Sequence, residues 1–171
     1  RHPDKVELSV SFYGIVSRPI EERDGMLARA RTRLERAIGT GVGSKAEAAA
    51  RASIALMDRY PRDLGALAPL MLNLVELEPG QGLCIGSGVL HAYLRGTALE
   101  IMANSDNVLR GGLTPKHVDI PELVSALDFE MREPELLVPE PAGPGVLAYP
   151  RRAEEFALDR LEPARGPVSR S

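Results

Sequence analysis

Apolar residues recur at helical spacing in the first third of the chain. From Asp24 to Ile38 they return every three or four residues, at Leu27, Ala30, Leu34 and Ile38, which predicts a helix with one apolar face. A second helix is predicted from Ser44 to about Arg59, because Ser44 and Glu47 have the spacing of a capping box and an alanine-rich run follows them.

Elsewhere apolar and polar residues alternate, which is the pattern of a half-buried strand. The run from Glu7 to Ile15 predicts a first strand in this way. Further strands are predicted at Leu83–Ile85, His91–Leu94, Ala98–Met102 and Phe156–Leu161. Pro121 opens a short predicted helix, and the proline-rich run from Pro134 to Pro150 predicts a loop or linker. Helices followed by antiparallel β-structure predict an α+β fold.

Composition narrows the class of protein. A net charge of -3 with both signs interspersed gives no basis for binding nucleic acid. No apolar run approaches the length of about 20 residues that a membrane-spanning helix needs, and the polar N-terminus shows no signal peptide. The single cysteine, Cys84, fits a reducing compartment and predicts a buried core thiol. Together these features predict a cytoplasmic protein that binds neither membranes nor nucleic acid.

A glycine-rich stretch leads into His91. Its spacing, from Gly80 through Gly86-Ser87-Gly88 to His91, resembles the second metal motif of cupin barrels, with Gly86 in the place of the usual proline. A strand that follows such a turn would present the imidazole as a metal ligand suited to zinc. The alternative is a hydrogen-bonded core histidine. Tyr93 falls on the same side of a regular strand, so it is expected to contact the same ligand.

Three more charged residues follow His91. Glu100 lies in the apolar run Ala-Leu-Glu-Ile-Met, where a carboxylate is expected to be buried and either to act as a general base or to pair with an arginine such as Arg110. Arg110 and Lys116 flank a pair of glycines and could converge on one phosphate or carboxylate. Basic loop residues that are merely solvated are the alternative.

These residues together resemble a known enzyme family. The His91-Ala-Tyr-Leu segment and the block from Glu100 to Asp119, which reads EIMANSDNVLRGGLTPKHVD, are similar to type I mannose-6-phosphate isomerase, also called phosphomannose isomerase. The long block is far more specific than a short motif. The resemblance covers what would be the C-terminal portion of a family member.

The resemblance implies a zinc-dependent isomerase that interconverts mannose 6-phosphate and fructose 6-phosphate through a cis-enediol. In the family a cupin barrel holds zinc by a glutamine, two histidines and a glutamate, and His91 matches one of these histidines. Glu7, in Lys5-Val-Glu7-Leu, matches the glutamate ligand in one alignment, whereas a second alignment places the other histidine motif at His2. Glu100 matches a proposed base, Arg110 and Lys116 match groups that face the phosphate and the enediolate, and Tyr93 matches a substrate contact.

The implied organisation is an incomplete cupin-type antiparallel barrel or jelly roll with a helical region. Residues 1–20 would be a strand segment of the catalytic cupin domain, 21–70 a helical domain, 71–133 the catalytic cupin segment, and 134–171 a linker with the start of a C-terminal β-region. The alternative function is a non-catalytic cupin-like fragment or sugar-phosphate-binding domain without a complete metal site. A cupin oxygenase is disfavoured, because the sequence has no His-x-His pair.

Overall fold

The computed structural model of the chain describes residues 4–41, 43–104 and 108–162. The helices of this part are α1 (Lys5–Val16), α2 (Ile20–Ala37), α3 (Ser44–Arg59), a 3₁₀ helix (Leu64–Leu70) and α4 (Ile120–Ala126). Its strands are β1 (Gly82–Leu83), β2 (Leu136–Leu137), β3 (Glu140–Gly143), β4 (Val146–Ala148) and β5 (Asp159–Leu161).

The described residues form two compact units whose segments alternate along the chain. The first unit contains residues 4–74, 86–94 and 108–133, and the second contains 75–85, 95–104 and 134–162. All the described helices lie in the first unit, and all the described strands lie in the second.

The core of the first unit is helical. The 3₁₀ helix packs against α3 and α2, and together they bury Leu27, Leu56, Met57, Leu64, Ala66 and Leu67. Periodicity predicted the two long helices correctly, and the proline-initiated helix α4 is confirmed as well. The capping box predicted at Ser44 does not form, because Gly43 is the residue that caps α3 and Ser44 is already helical.

The first element contradicts the sequence-based expectation. The predicted strand Glu7–Ile15 is the helix α1. The Asp4 side chain accepts hydrogen bonds from the amides of Val6 and Glu7 at 2.9 Å, and the Glu7 carboxylate accepts one from the Asp4 amide at 3.0 Å. This reciprocal cap satisfies donors that are otherwise unpaired at a helix start, so it outweighs a short run of alternation. Phe12 is buried, and its ring lies 5.8 Å from that of Phe129.

The strands of the second unit are short and antiparallel. β1 pairs with β2, with Gly82 opposite Leu137, and the other three strands form a sheet in the order β3-β4-β5. The predicted strands at His91–Leu94 and Ala98–Met102 are not formed, because neither segment has a ladder partner among the described residues. The run predicted as a loop, Pro134–Pro150, instead contains β2, β3 and β4.

No closed barrel is present in the described part of the chain, where the sheets have two and three strands. Cys84, predicted to be a core thiol, is exposed beside the short strand β1. Among the residues in the ranges given above, no helix has the length and apolar character needed to cross a bilayer.

Candidate functional site

A glycine-containing loop that carries Arg110 and Lys116 is fixed on the helical core. Gly112 has a φ of 130°, and a Cβ atom at this position would lie 3.3 Å from the Cα of Gly65 and 3.2 Å from the Asp63 carboxylate. That carboxylate also accepts a hydrogen bond from the Gly65 amide at 2.8 Å, which starts the 3₁₀ helix. The loop can approach the helix this closely only because both positions lack a side chain.

The next residue anchors the same loop. Leu113 adopts a φ of 55°, which is unusual for a leucine, and its side chain packs against the buried core cluster of the first unit. The backbone between Arg110 and Lys116 therefore has a defined conformation, although both charged side chains are exposed. The amide of Lys116 donates a hydrogen bond to the Thr114 hydroxyl at 3.2 Å.

The loop that leads to His91 lies against this first loop. A Cβ atom on Gly111 would come within 2.5 Å of a Leu90 methyl group, so Leu90 packs directly on the Gly111 backbone. Gly88 has a φ of 73°, its carbonyl accepts a hydrogen bond from the Asp128 amide at 2.9 Å, and a Cβ there would lie 2.7 Å from the Ala126 carbonyl. Since Leu90 precedes His91 and Gly111 follows Arg110, the contact between Leu90 and Gly111 joins the two loops that carry these candidate residues.

The imidazole of His91 is oriented but exposed. Its Nδ1 lies 2.9 Å from the Val89 carbonyl oxygen. Since a carbonyl can only accept, Nδ1 is the donor in this contact, and Nε2 is the ring nitrogen that it leaves unused. The Tyr93 ring meets the His91 ring edge-on with centroids 6.0 Å apart, which agrees with the expected proximity of the two side chains. The core-histidine alternative does not hold, because the side chain is not buried.

The environment of Glu100 differs from the predicted one. Glu100 was expected to be buried in a strand, but it is exposed in a segment without regular secondary structure. The expectation failed because the run from Ala98 to Met102 forms no ladder, so its apolar neighbours are also exposed. Glu100 belongs to the second unit, whereas the other candidate residues belong to the first.

The Glu7 carboxylate is part of the cap of α1 and is exposed. The cap uses only Oε2 of this carboxylate, which accepts from the Asp4 amide, so Oε1 keeps its capacity to accept. The alternative residue, His2, lies outside the described residues. No group of three or more histidine, cysteine or acidic side chains in the described ranges is placed to hold a metal ion.

Sequence reasoning found the charged residues but not the residues that position them. Asp63, Gly65 and Leu90 were not singled out, because their roles depend on contacts between segments distant in the chain. The pair Gly111-Gly112 could have indicated this packing, since glycine often occurs where the backbone closely approaches another segment or a ligand.

The chain is similar to curated mannose-6-phosphate isomerases. It is 39% identical over 160 residues to the enzyme of Escherichia coli, covering 92% of this chain and 39% of that protein. It is 49% identical over 100 residues to the Shigella flexneri enzyme, covering 58% of this chain and 26% of that protein. Mannose-6-phosphate isomerase 1 of Arabidopsis thaliana is 41% identical over 109 residues, covering 64% of this chain and 25% of that protein.

Solved structures agree with these matches. The apo form of mannose 6-phosphate isomerase from Salmonella typhimurium aligns with a TM-score of 0.74 at 38% identity, covering 92% of this chain and 39% of that chain. An arginine-to-alanine mutant of the same protein aligns equally well, with a TM-score of 0.74, 38% identity and the same two coverages. No family model matches the chain. The chain thus spans 39% of the length of the Escherichia coli relative.

Proposed function

Since the chain is a homologue of mannose-6-phosphate isomerase over 39% of that enzyme, we propose that it supplies part of the catalytic domain of a sugar-phosphate isomerase. The reaction is the interconversion of mannose 6-phosphate and fructose 6-phosphate, and the domain to which the chain contributes is a cupin-type barrel. The observation that carries this proposal is the similarity across 92% of the chain, a span too long to leave out the central stretch from His91 to Lys116.

Arg110 and Lys116 bind the anionic end of the substrate. Both are exposed cations on a loop whose backbone is fixed by Gly112 and Leu113, so they can meet a ligand without first ordering the loop. Arginine offers two parallel donors to a phosphate, and lysine adds a compact charge. Tyr93, next to His91, contacts the sugar.

Glu100 is the general base that transfers a proton between C2 and C1 of the sugar. It takes the proton from C2 of the aldose to give a cis-enediol and returns a proton to C1, while the hydroxyl proton passes from O2 to O1. C2 is oxidised and C1 is reduced, so no external oxidant or reductant is needed. A carboxylate is a suitable general base for such a transfer when it is placed beside the carbon.

Zinc is part of the proposal, with His91 as one of its ligands through Nε2. The described residues do not by themselves fit a complete zinc centre, which takes three or four protein ligands. Glu7 would be a second ligand, through the carboxylate oxygen that the cap of α1 does not use. We therefore assign no step of the reaction to zinc.

The proposal is tested in an exchange protein, defined as the Escherichia coli isomerase in which this chain replaces the segment that it matches. We expect this protein to interconvert the two sugar phosphates, and we expect Glu100→Gln to lower kcat by about 100-fold or more, because the amide cannot accept the C2 proton. The control is Glu78→Gln, which changes an exposed glutamate in the same unit.

The exchange protein must also be compared with the unmodified Escherichia coli enzyme for folding, by circular dichroism and thermal unfolding. A folded exchange protein without turnover, a failure to fold, or an undiminished kcat in Glu100→Gln would each contradict the proposal for this chain.

A second candidate is binding of a sugar phosphate without turnover. It is favoured by one observation, that the described residues hold no group of three metal ligands. Calorimetric titration of the exchange protein with mannose 6-phosphate distinguishes the two candidates, because saturable binding without any turnover would support the second.

A further inference from the structure

The loop from Arg110 to Lys116 meets the helical core where two glycines face each other. A Cβ atom on Gly65, in the 3₁₀ helix, would lie 3.2 Å from the Leu113 amide nitrogen and 3.4 Å from the Gly112 Cα. A Cβ atom on Gly112 would in turn lie 3.3 Å from the Gly65 Cα. Because backbone atoms meet backbone atoms here, a methyl group added to Gly65 would move the loop away by a few tenths of an ångström.

The half-buried Asp63 carboxylate occupies the same junction. Its Oδ1 accepts a hydrogen bond from the Gly65 amide at 2.8 Å. The same atom would lie 2.9 Å from a Cβ on Gly65 and 3.2 Å from a Cβ on Gly112. A side chain at Gly65 would therefore press on both the loop and the carboxylate that starts the 3₁₀ helix.

The two sides of the loop differ in how readily their neighbours can move. On one side, Gly112 faces the 3₁₀ helix, which contributes side chains to the buried core, and Leu113 packs against that core. On the other side, Gly111 faces a terminal methyl group of Leu90, which is the far end of a flexible side chain. Since a packed core resists displacement, the contact with the 3₁₀ helix sets the position of the loop.

We propose that Gly65 is a positioning residue for phosphate binding, because its missing side chain lets the loop of Arg110 and Lys116 lie directly against the 3₁₀ helix. The inference rests on the proposed binding of the substrate phosphate by these two cations. A guanidinium forms two parallel hydrogen bonds to a phosphate only in a narrow geometry, so a small shift of the loop weakens them. The helical region, residues 21–70, thereby takes part in substrate binding through Gly65.

Steady-state kinetics of the exchange protein test the role of Gly65. Gly65→Ala should raise the KM for mannose 6-phosphate and the inhibition constant of inorganic phosphate by the same factor, about 3- to 30-fold. We expect kcat to change by less than about threefold. Partial unfolding would lower the amount of active enzyme and leave both constants unchanged. Gly14→Ala is the matched control, since a Cβ at Gly14 has no neighbour within 4 Å, and it should change neither constant.

A double-mutant cycle identifies the residue through which Gly65 acts. In the Arg110→Ala background, Gly65→Ala should raise both constants by at most about a third of the factor that it gives alone, because the guanidinium that it positions is gone. If Gly65→Ala does not fold, Leu113→Ala provides the test. It removes the side chain that anchors the same loop to the core and leaves the 3₁₀ helix intact, so it should raise the same two constants.

Several results would overturn the inference. They are equal constants in Gly65→Ala and Gly14→Ala, a rise in KM without a rise in the inhibition constant of phosphate, an undiminished effect in the Arg110→Ala background, and unchanged constants in Leu113→Ala. If the exchange protein binds mannose 6-phosphate in a calorimetric titration without turning it over, the proposed isomerisation alone fails, and dissociation constants replace KM in every comparison. An exchange protein that binds neither mannose 6-phosphate nor phosphate would refute both proposals.

Discussion

At the scale of single residues, the conformation of the loop that leads to His91 depends on Gly88. This residue combines a positive φ with a backbone carbonyl 2.7 Å from where a Cβ would lie, so any side chain meets both strain and a steric clash. The clash is with the Ala126 carbonyl rather than with a flexible side chain, and the backbone itself would have to move.

We expect Gly88→Ala to lower the free energy of unfolding by about 1–3 kcal/mol, the usual cost of a strained backbone position. Urea unfolding of the chain, followed by circular dichroism, measures this change. Gly86→Ala is the matched control, because a Cβ at Gly86 has no neighbour within 4 Å. The control should change stability by less than about 0.5 kcal/mol, and equal effects of the two variants would contradict the steric explanation.

The chemical types of the candidate residues could be predicted from sequence, but their burial could not. Glu100 and Cys84 were both expected to be buried because apolar residues flank them, and both are exposed. Burial depends on what packs over a segment, and flanking residues do not contain that information. The proximity of Tyr93 to His91 was predicted from a regular strand, and the two rings do lie close together although that strand does not form.

At the scale of secondary-structure elements, long periodic segments were predictable and short ones were not. In helices α2 and α3 the apolar residues recur at helical spacing over several turns, and the period-two pattern of a strand cannot give this spacing. The segment from Glu7 to Ile15 alternates over only a few residues, and the cap formed by Asp4 and Glu7 decides in favour of α1. The strands β2, β3 and β4 lie in a proline-rich run. β2 pairs with the distant strand β1, whereas β3 and β4 pair with each other as a hairpin, and β4 also pairs with β5.

The cap of α1 gives a second prediction. Asp4→Ala removes the acceptor for the amides of Val6 and Glu7, and we expect it to lower the free energy of unfolding by about 1 kcal/mol. Urea unfolding at neutral pH measures the loss, and Asp4→Ser should recover most of it because serine also caps helices. If Asp4→Ser is as destabilising as Asp4→Ala, the hydrogen bonds of the cap are not what stabilises α1.

At the scale of the whole molecule, the helices and the strands belong to different units. The first unit has a core and holds His91, Arg110 and Lys116 on loops fixed by close glycine contacts. The second unit holds Glu100 and has no buried residue among those described. This division was not predictable from the sequence, because segments of the two units alternate along the chain and each contains apolar residues in ordinary proportion.

The measurement that tests the central claim most directly is the turnover of mannose 6-phosphate to fructose 6-phosphate by the exchange protein and by its Arg110→Ala and Arg33→Ala variants. Arg33 is an exposed arginine in α2, so its replacement controls for the loss of a positive charge. We predict turnover by the exchange protein, a loss of about 10- to 100-fold in kcat/KM for Arg110→Ala from the lost charge-assisted hydrogen bonds, and no loss for Arg33→Ala. Turnover that is absent from a folded exchange protein, or equal in the two variants, would contradict the assignment of this chain to sugar-phosphate isomerisation.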